Sequence, residues 1–243
     1  MPQASFATTA AFLCVVFGVA ALFVWALTRA PRGNGGEGFS ISWAVVAVAL
    51  LAVWLGVPAV VAATGALSDF SGRPPAIGIL LTGLFVCTTA LAFSSAGSRL
   101  VQGVPIAGLI GFQVFRIPVE MILHRLHVEG IVPVQMTYAG YNFDIVSGTL
   151  AGIFGVWAFV SRPPTWVILG INIVGSLLLL NIVSIAVLSM PTPMRAFQNG
   201  PPNTFVAHLP FVWLPSLLVQ AAWFGHLLVF RWLSRASSAV KRA

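Results

Sequence analysis

Residues Val101 to Leu126 read VQGVPIAGLIGFQVFRIPVEMILHRL, an apolar stretch long enough to cross a bilayer that nonetheless carries Gln113, Arg116, Glu120 and His124. Together with His127, just beyond it, these groups follow helical spacing. At about 100° per residue the five positions fall within an arc of roughly 80°. They form a line of polar and ionisable side chains facing one direction inside a membrane. One such charge near the bilayer centre costs roughly 3 kcal/mol on insertion scales. A chain seldom carries several with nothing for them to face, so this stripe is the expected functional site.

The composition places the whole chain in a membrane. Of its 243 residues, 58% are hydrophobic and only 7% are charged, and the mean hydropathy is +0.98. Soluble domains are about one quarter charged. Crossing about 30 Å of hydrocarbon takes around 20 apolar residues. Seven runs approach or exceed this: Phe6 to Leu27, Ile41 to Leu67, Ala76 to Phe93, Val101 to Leu126, Phe143 to Val160, Trp166 to Met190 and Leu209 to Trp232. The breaks between them hold the helix breakers: Pro31 to Gly38, Ser71 to Pro75, Ser94 to Gly103, Arg162 to Pro164 and Pro191 to Asn203. The sequence shows no separate soluble domain, low-complexity tail or internal repeat. It predicts one all-α domain over residues 1–243, a seven-helix transmembrane bundle.

A net charge of +7 could suggest nucleic acid, but its distribution argues for topology. Seven crossings put Arg29, Arg32, Arg99, Arg162, Arg231, Arg235, Lys241 and Arg242 on one side, and Arg73, Arg125 and Arg195 on the other. The positive-inside rule then sets the N-terminus outside and the C-terminus in the cytoplasm. The expected location is the bacterial cytoplasmic (inner) membrane, with lipids as the surrounding partner and no role for nucleic acid. The first run has no Lys or Arg before its apolar core, which fits a retained helix better than a cleaved signal. Cys14 and Cys87 both lie inside runs and read as small apolar side chains.

Depth brings further polar residues to the level of the stripe. At about 1.5 Å per residue, Arg116 stands roughly 25 Å above Arg99, so the stripe belongs to the outer half of the membrane. Pro118 should kink the helix one turn earlier. Asn142 and Asp144 begin the fifth helix, His208 precedes the seventh, and Asn181 sits in the outer half of the sixth. Arg195 lies in the Pro-rich segment 191–203, a partial lid. An outward-facing pocket follows, with Gln113, Arg116, Glu120, Asn142, Asp144, Asn181 and Arg195 binding a small ligand. Arg116 would pair with Glu120 or hold an anionic ligand group.

Glu120, His124, His127 and His208 are the candidate metal ligands, with N and O donors suited to zinc, copper or iron. Haem would need His124 or His127 opposite His208. Retinal is excluded, because the one lysine, Lys241, lies in the tail and no buried amine exists for a Schiff base. No serine has a nucleophile-elbow setting. Structural readings compete throughout. Asp144 could serve the N-terminal end of its helix, and Asn172 and Asn181 lie about 180° apart on theirs, so both cannot face one pocket. A transport path lacks an inner leg, which offers only Asn172, Gln220 and His226. Small faces at Gly148, Gly152 and Gly155, and at Ala107 with Gly111, point to close helix contacts within the bundle or in a homo-oligomer. The leading function is a ligand- or ion-binding membrane protein in a sensor or accessory role. A metal-dependent membrane enzyme, a subunit of a larger membrane complex and a proton-coupled transporter are the alternatives.

Several stretches resemble an uncharacterised family of bacterial seven-helix integral membrane proteins. They are Phe115-Arg116-Ile117-Pro118-Val119-Glu120, Asn142-Phe143-Asp144-Ile145, Met190-Pro191-Thr192-Pro193, and the run from Pro202-Asn203-Thr204-Phe205 through Pro210-Phe211-Val212-Trp213-Leu214-Pro215. The likeness covers roughly the second half of the chain. Members tend to carry a Glu before the glycine of a Met-Thr-aromatic-x-Gly segment, where this chain has Ala139 after Met136, Thr137 and Tyr138. The resemblance implies the bundle architecture and the location of the special residues, and no particular reaction or ligand.

Overall fold

The structure, a computed structural model, describes residues 3–29 and 41–240. Arg32, Lys241, Arg242 and the break at 31–38 lie outside the described residues. The described chain is helical with no strand: α1 (Phe6–Arg29), α2 (Ile41–Ala63), α3 (Ala76–Phe93), α4 (Ser95–Gly103), α5 (Ile106–Gly111), α6 (Arg116–Val128), α7 (Asp144–Val160), α8 (Thr165–Leu188) and α9 (Val219–Val240). Six helical segments are long and apolar enough to cross a membrane: Phe6–Thr28, Ala44–Ala63, Ala76–Phe93, Ile106–Val128, Thr165–Leu188 and Leu214–Ala236. Their outer faces are apolar, as Val53, Val57 and Val60 on α2 and Ile173, Leu177 and Leu180 on α8 show. Such a continuous apolar exterior belongs against lipid and not water. This is an integral membrane protein.

Three boundaries differ from the sequence expectation. The stretch Ser94 to Gly103 is not a loop: Ser95–Gly103 forms α4, with Ser94 accepting a cap bond from the Ala96 N–H. The fourth crossing therefore begins at Ile106, because Pro105 cannot continue a helix and forces Val104 into an extended conformation. The last crossing begins at Leu214 instead of Leu209, with a π turn over Leu214–Leu218 that contains Pro215. Its displaced carbonyls are taken by side chains: Trp54 Nε1 donates to Ser216 O at 2.7 Å, and Gln220 Nε2 donates to Pro215 O at 3.2 Å. Before α6, the backbone tightens to a 3-10 turn over Phe112–Phe115, one turn ahead of Pro118, where the proline offers no N–H to Val114.

The seventh expected crossing is α7, whose 17 residues make it shorter than the other six. At 1.5 Å per residue it measures about 25 Å, less than the roughly 30 Å of a hydrocarbon core. The segment before it, 133–143, is non-helical for the most part and still buries Gln135, Met136, Thr137 and Asn142. Irregular backbone in an apolar bundle survives only where protein surrounds it and satisfies its polar groups. Here Thr137 N–H donates to Val134 O, Gly140 N–H to Thr137 O and Tyr141 N–H to Gln135 O. Position 140 admits no side chain, because a Cβ would stand 2.4 Å from Val134 O.

Helix α9 is the hub, packing on α3, α4, α5 and α8, while α7 packs on α5, α6 and α8. One end of the bundle, called the basic end below, carries Arg99, Arg231 and Arg235. Arg231 donates to Ala92 O and Ser94 O at 2.6 and 2.8 Å, and Arg235 bonds Ser98, tying α9 to the α3–α4 corner. The opposite, loop end carries 129–143 and 189–213, joined by Gln135 Nε2 donating to Ser189 Oγ at 3.0 Å.

The small-residue faces meet inside the bundle. A Cβ on Gly155 would stand 2.9 Å from Gly111 Cα, whereas one on Gly152 would lie 3.6 Å from Val114 Cγ2, an ordinary contact. Gly155→Ala is therefore expected to destabilise the bundle by about 1–3 kcal/mol through overpacking, and Gly152→Ala is not. Thermal melting in detergent checks this; equal melting of the two variants contradicts the packing.

The start of α1 is held at the loop end by Glu129. Its carboxylate accepts from Ser5 N–H at 3.0 Å, Ser5 Oγ at 2.8 Å, Thr8 Oγ1 at 2.7 Å and Arg125 Nε at 3.2 Å. Burial opposes ionisation, but the donors from Ser5, Thr8 and Arg125 outweigh it and bring the group down to about 2 from 4.5. A carboxyl depressed on folding stabilises the folded form above its unfolded value and stops doing so as the pH falls through its folded value. A spin label at Gln3 is therefore expected to gain mobility as pH drops from about 4.5 toward 2, and to be mobile at every pH in Glu129→Gln. A label that stays immobile in that variant removes the tether.

Candidate functional site

Of the five residues in the expected stripe, Gln113, Arg116 and Glu120 are buried in the protein's interior, whereas His124 and His127 are half-buried. Arg116, 2% exposed, reaches from α6 toward α7, α8 and α9. Its Nη1 donates to Ser147 Oγ at 2.7 Å, to Gly175 O at 3.2 Å and to His226 Nε2 at 3.2 Å, and its Nη2 is ion-paired with Asp144. His226 Nδ1 lies 2.9 Å from Asn172 Oδ1, and Asn172 Nδ2 donates to His226 O at 3.2 Å. Because the amide orientation leaves Oδ1 as acceptor, His226 Nδ1 carries the proton and Nε2 accepts from Arg116. Glycine at 175 makes this approach possible, since a Cβ there would stand 2.6 Å from His226 Cε1.

Glu120 has different neighbours, so the expected Arg116–Glu120 pair is replaced. The Glu120 carboxylate accepts from the Tyr138 N–H and from Asn142 Nδ2. Asn142 also donates to Met136 O at 3.1 Å and accepts from Asp144 N–H at 3.1 Å. Glu120 thus staples the irregular segment before α7, and Asn142 links that staple to Asp144 and onward to Arg116. Helical spacing placed Arg116 and Glu120 on one face; the chain opposite decided their partners.

The remaining expected site residues divide. Gln113 turns to α9, with Nε2 donating to Ala222 O at 2.9 Å. Asn181 donates to Tyr141 O at 2.8 Å, and Arg195 bonds Phe197 O and Gly200 O within its own loop at 2.9 and 3.0 Å. Neither joins the Arg116 cluster through these bonds. The metal set does not assemble. His124 stacks on Tyr138 with ring centroids 4.3 Å apart, His127 Nδ1 meets Val132 O at 2.9 Å, and His208 Nε2 lies 3.4 Å from Ser68 Oγ. Among the described residues no three His, Cys, Asp or Glu side chains come together as metal ligands. His127 and His208 take up partners in the neighbouring loops, while His124 Nδ1 is buried without a hydrogen-bond partner. Cys14 and Cys87 are free and exposed on the bundle's outer surface.

Ser147, Asn172, Gly175 and His226 are the participants that position alone did not select. Asn172 and His226 stand in the sequence as isolated polar groups; the reach of the Arg116 guanidinium across the bundle joins them to Asp144. Two cavities flank Arg116. One, of about 80 Å³, is mainly apolar and is lined by Arg116, Asp144, Leu179, Met190, Asn203 and Leu218 among others. The other, about 30 Å³, is lined by Gln113, Ser147, Asn172 and His226 with apolar neighbours. Arg116 Nε, Asn203 Oδ1 and Gln113 Oε1 are all buried without a hydrogen-bond partner, and each of these residues lines one of the two cavities.

Neither a protein-family model, nor a curated protein, nor a solved structure matches this chain.

The buried pair yields a direct test. Arg116→Met leaves the Asp144 carboxylate without its cation and is expected to cost about 3–5 kcal/mol, whereas Arg116→Met with Asp144→Leu should recover most of that loss. Melting temperatures of the two variants in detergent decide; a double variant no more stable than the single one contradicts the pairing.

Proposed function

We propose that this protein is a membrane-embedded binding protein for a small, neutral, polar molecule held beside Arg116, in a sensor or accessory role. The observation that carries the reading is the pair of orphaned atoms on one cavity, a buried donor at Arg116 Nε and a buried acceptor at Asn203 Oδ1. Buried polar groups are nearly always satisfied, so an unpaired donor and acceptor around a shared space mark where a guest completes the bonding. The charge of Arg116 is already offset by Asp144, which favours a neutral guest over the anion expected from sequence. At about 10–15 Å³ per water, a space of this size suits a molecule of a few heavy atoms. In this reading α7 is the seventh crossing, its missing length supplied by the buried segment 133–143. The N-terminus and the loop end face outward from a bacterial cytoplasmic membrane, and segment 191–203 covers the chamber through Asn203.

The metal-dependent enzyme reading has no ligand set to stand on among the described residues. Proton-coupled transport has one observation in its favour: Arg116 touches Asp144 on one side and Ser147 and His226 on the other, and so joins polar groups from both halves of the bundle.

Thermal stability in the presence of acetamide, methylurea or lactamide tests the binding reading. A ligand at 100 times its Kd adds about 2.7 kcal/mol, which for a chain of this size raises Tm by roughly 5–11 °C. At least one of these amides is expected to raise the Tm of the natural protein and to leave Asn203→Leu unmoved. No shift with any of them, or an equal shift in the variant, overturns the reading.

A further inference from the structure

A third and larger space lies toward the basic end. It measures about 260 Å³ and is walled by Leu27 of α1, Leu50 and Trp54 of α2, Leu91 of α3, Arg99 of α4 and Phe224 of α9. A dry apolar cavity of about 150 Å³ already admits benzene. The two polar residues deepest in it, Thr88 and Gln220, are satisfied, with Thr88 Oγ1 donating to Gln220 Oε1 at 2.9 Å and Gln220 Nε2 donating to Pro215 O. None of the buried unpaired atoms found among the described residues belongs to a residue lining this cavity. That separates it from the two chambers beside Arg116: those ask for hydrogen bonds, and this one asks for hydrocarbon.

Its walls also say where the hydrocarbon comes from. Helix α2 packs on α1 and on the π turn, and among the described residues it barely touches α3. The space therefore lies behind a loosely closed α2–α3 seam in a bundle whose outer faces meet lipid. At the basic end Arg99 lines the cavity, while Arg231 and Arg235 hold the same α3–α4 corner. An apolar slot ending at a cluster of cations in a membrane has the charge and shape of an anionic lipid site.

We infer that this cavity holds one acyl chain of an anionic phospholipid from the leaflet at the basic end, with the lipid phosphate on Arg99. The chain enters between α2 and α3 and ends against the Thr88–Gln220 pair. It keeps the cavity filled, where an empty space would cost the contacts of its lining. This site is independent of the chamber beside Arg116, and either can stand without the other.

Native mass spectrometry of the full chain in detergent, titrated with phosphatidylglycerol or phosphatidylcholine, tests the inference. The natural protein is expected to retain one phosphatidylglycerol about fivefold more tightly than phosphatidylcholine, the preference one arginine near a membrane surface supplies. Arg99→Gln should erase that preference while still binding a chain. Ala47→Phe, which fills the cavity wall, should lose the tightly held lipid of either type while loosely bound annular lipid persists; Leu50→Trp serves the same purpose if the first variant does not fold. Retention of phosphatidylglycerol unchanged in both the Arg99 and the cavity-filling variants overturns the site. Equal affinity of the natural protein for the two lipids overturns the role of Arg99.

Discussion

The ion pair between Arg116 and Asp144 is the constraint around which the rest of the bundle is arranged. A guanidinium and a carboxylate removed from water each carry a desolvation cost of several kcal/mol, which their attraction offsets only when the remaining donors and acceptors are also matched. The molecule meets that condition by bringing Ser147, Gly175 and His226 to the same guanidinium. Four helices, α6 to α9, are thereby fixed at one point. Glycines allow them to come that close: a Cβ on Gly148 would stand 2.6 Å from Ile117 Cγ1, and one on Gly175 would meet His226.

A second buried carboxylate, Glu120, solves a different problem. The chain reaches α7 through irregular backbone that lies within the protein, and unsatisfied N–H groups there would be costly. Glu120 absorbs part of that cost by bonding the segment from α6, and Asn142 absorbs more from within the segment. The segment before α7 buries Gln135, Met136, Thr137 and Asn142 within the protein, and α7 itself is 17 residues long. Asn142 bonds the Glu120 carboxylate through Nδ2 and the Asp144 backbone N–H through Oδ1, so the anchoring of the loop sits beside the residue that pairs across the bundle.

Among the described residues, three of the cavities near this framework are distinguished by the hydrogen-bonding state of their walls. The two beside Arg116 are lined by residues with buried unpaired atoms, the basis of the small polar guest proposed for them. The one beneath Arg99 is lined by hydrocarbon and by polar groups already paired, which points to a lipid chain. A membrane protein can keep both kinds of space because its exterior solvent is hydrocarbon while its axis carries the polar network.

The amino-acid sequence by itself determined the membrane class, the approximate position of six helices long enough to cross, the asymmetry of basic residues, and the presence of a line of polar groups through Arg116, Glu120 and His124. Each of these depends on local length, composition or helical period, which a chain carries without reference to its partners. The sequence also pointed to the break near Pro118 and to the small-residue faces that hold Gly155 and Gly111, while their meeting is a fact of the structure. Tertiary structure alone decided which groups meet. Arg116 faces Asp144 and His226 in place of Glu120, the histidines at the loop end find separate neighbours, and Ser95–Gly103 folds as a helix at the basic end. A side chain as long as arginine can reach several helices, and a carboxylate bonds whichever donor the opposing backbone presents. Those choices depend on how distant segments pack around the axis, and no spacing along a single helix encodes them.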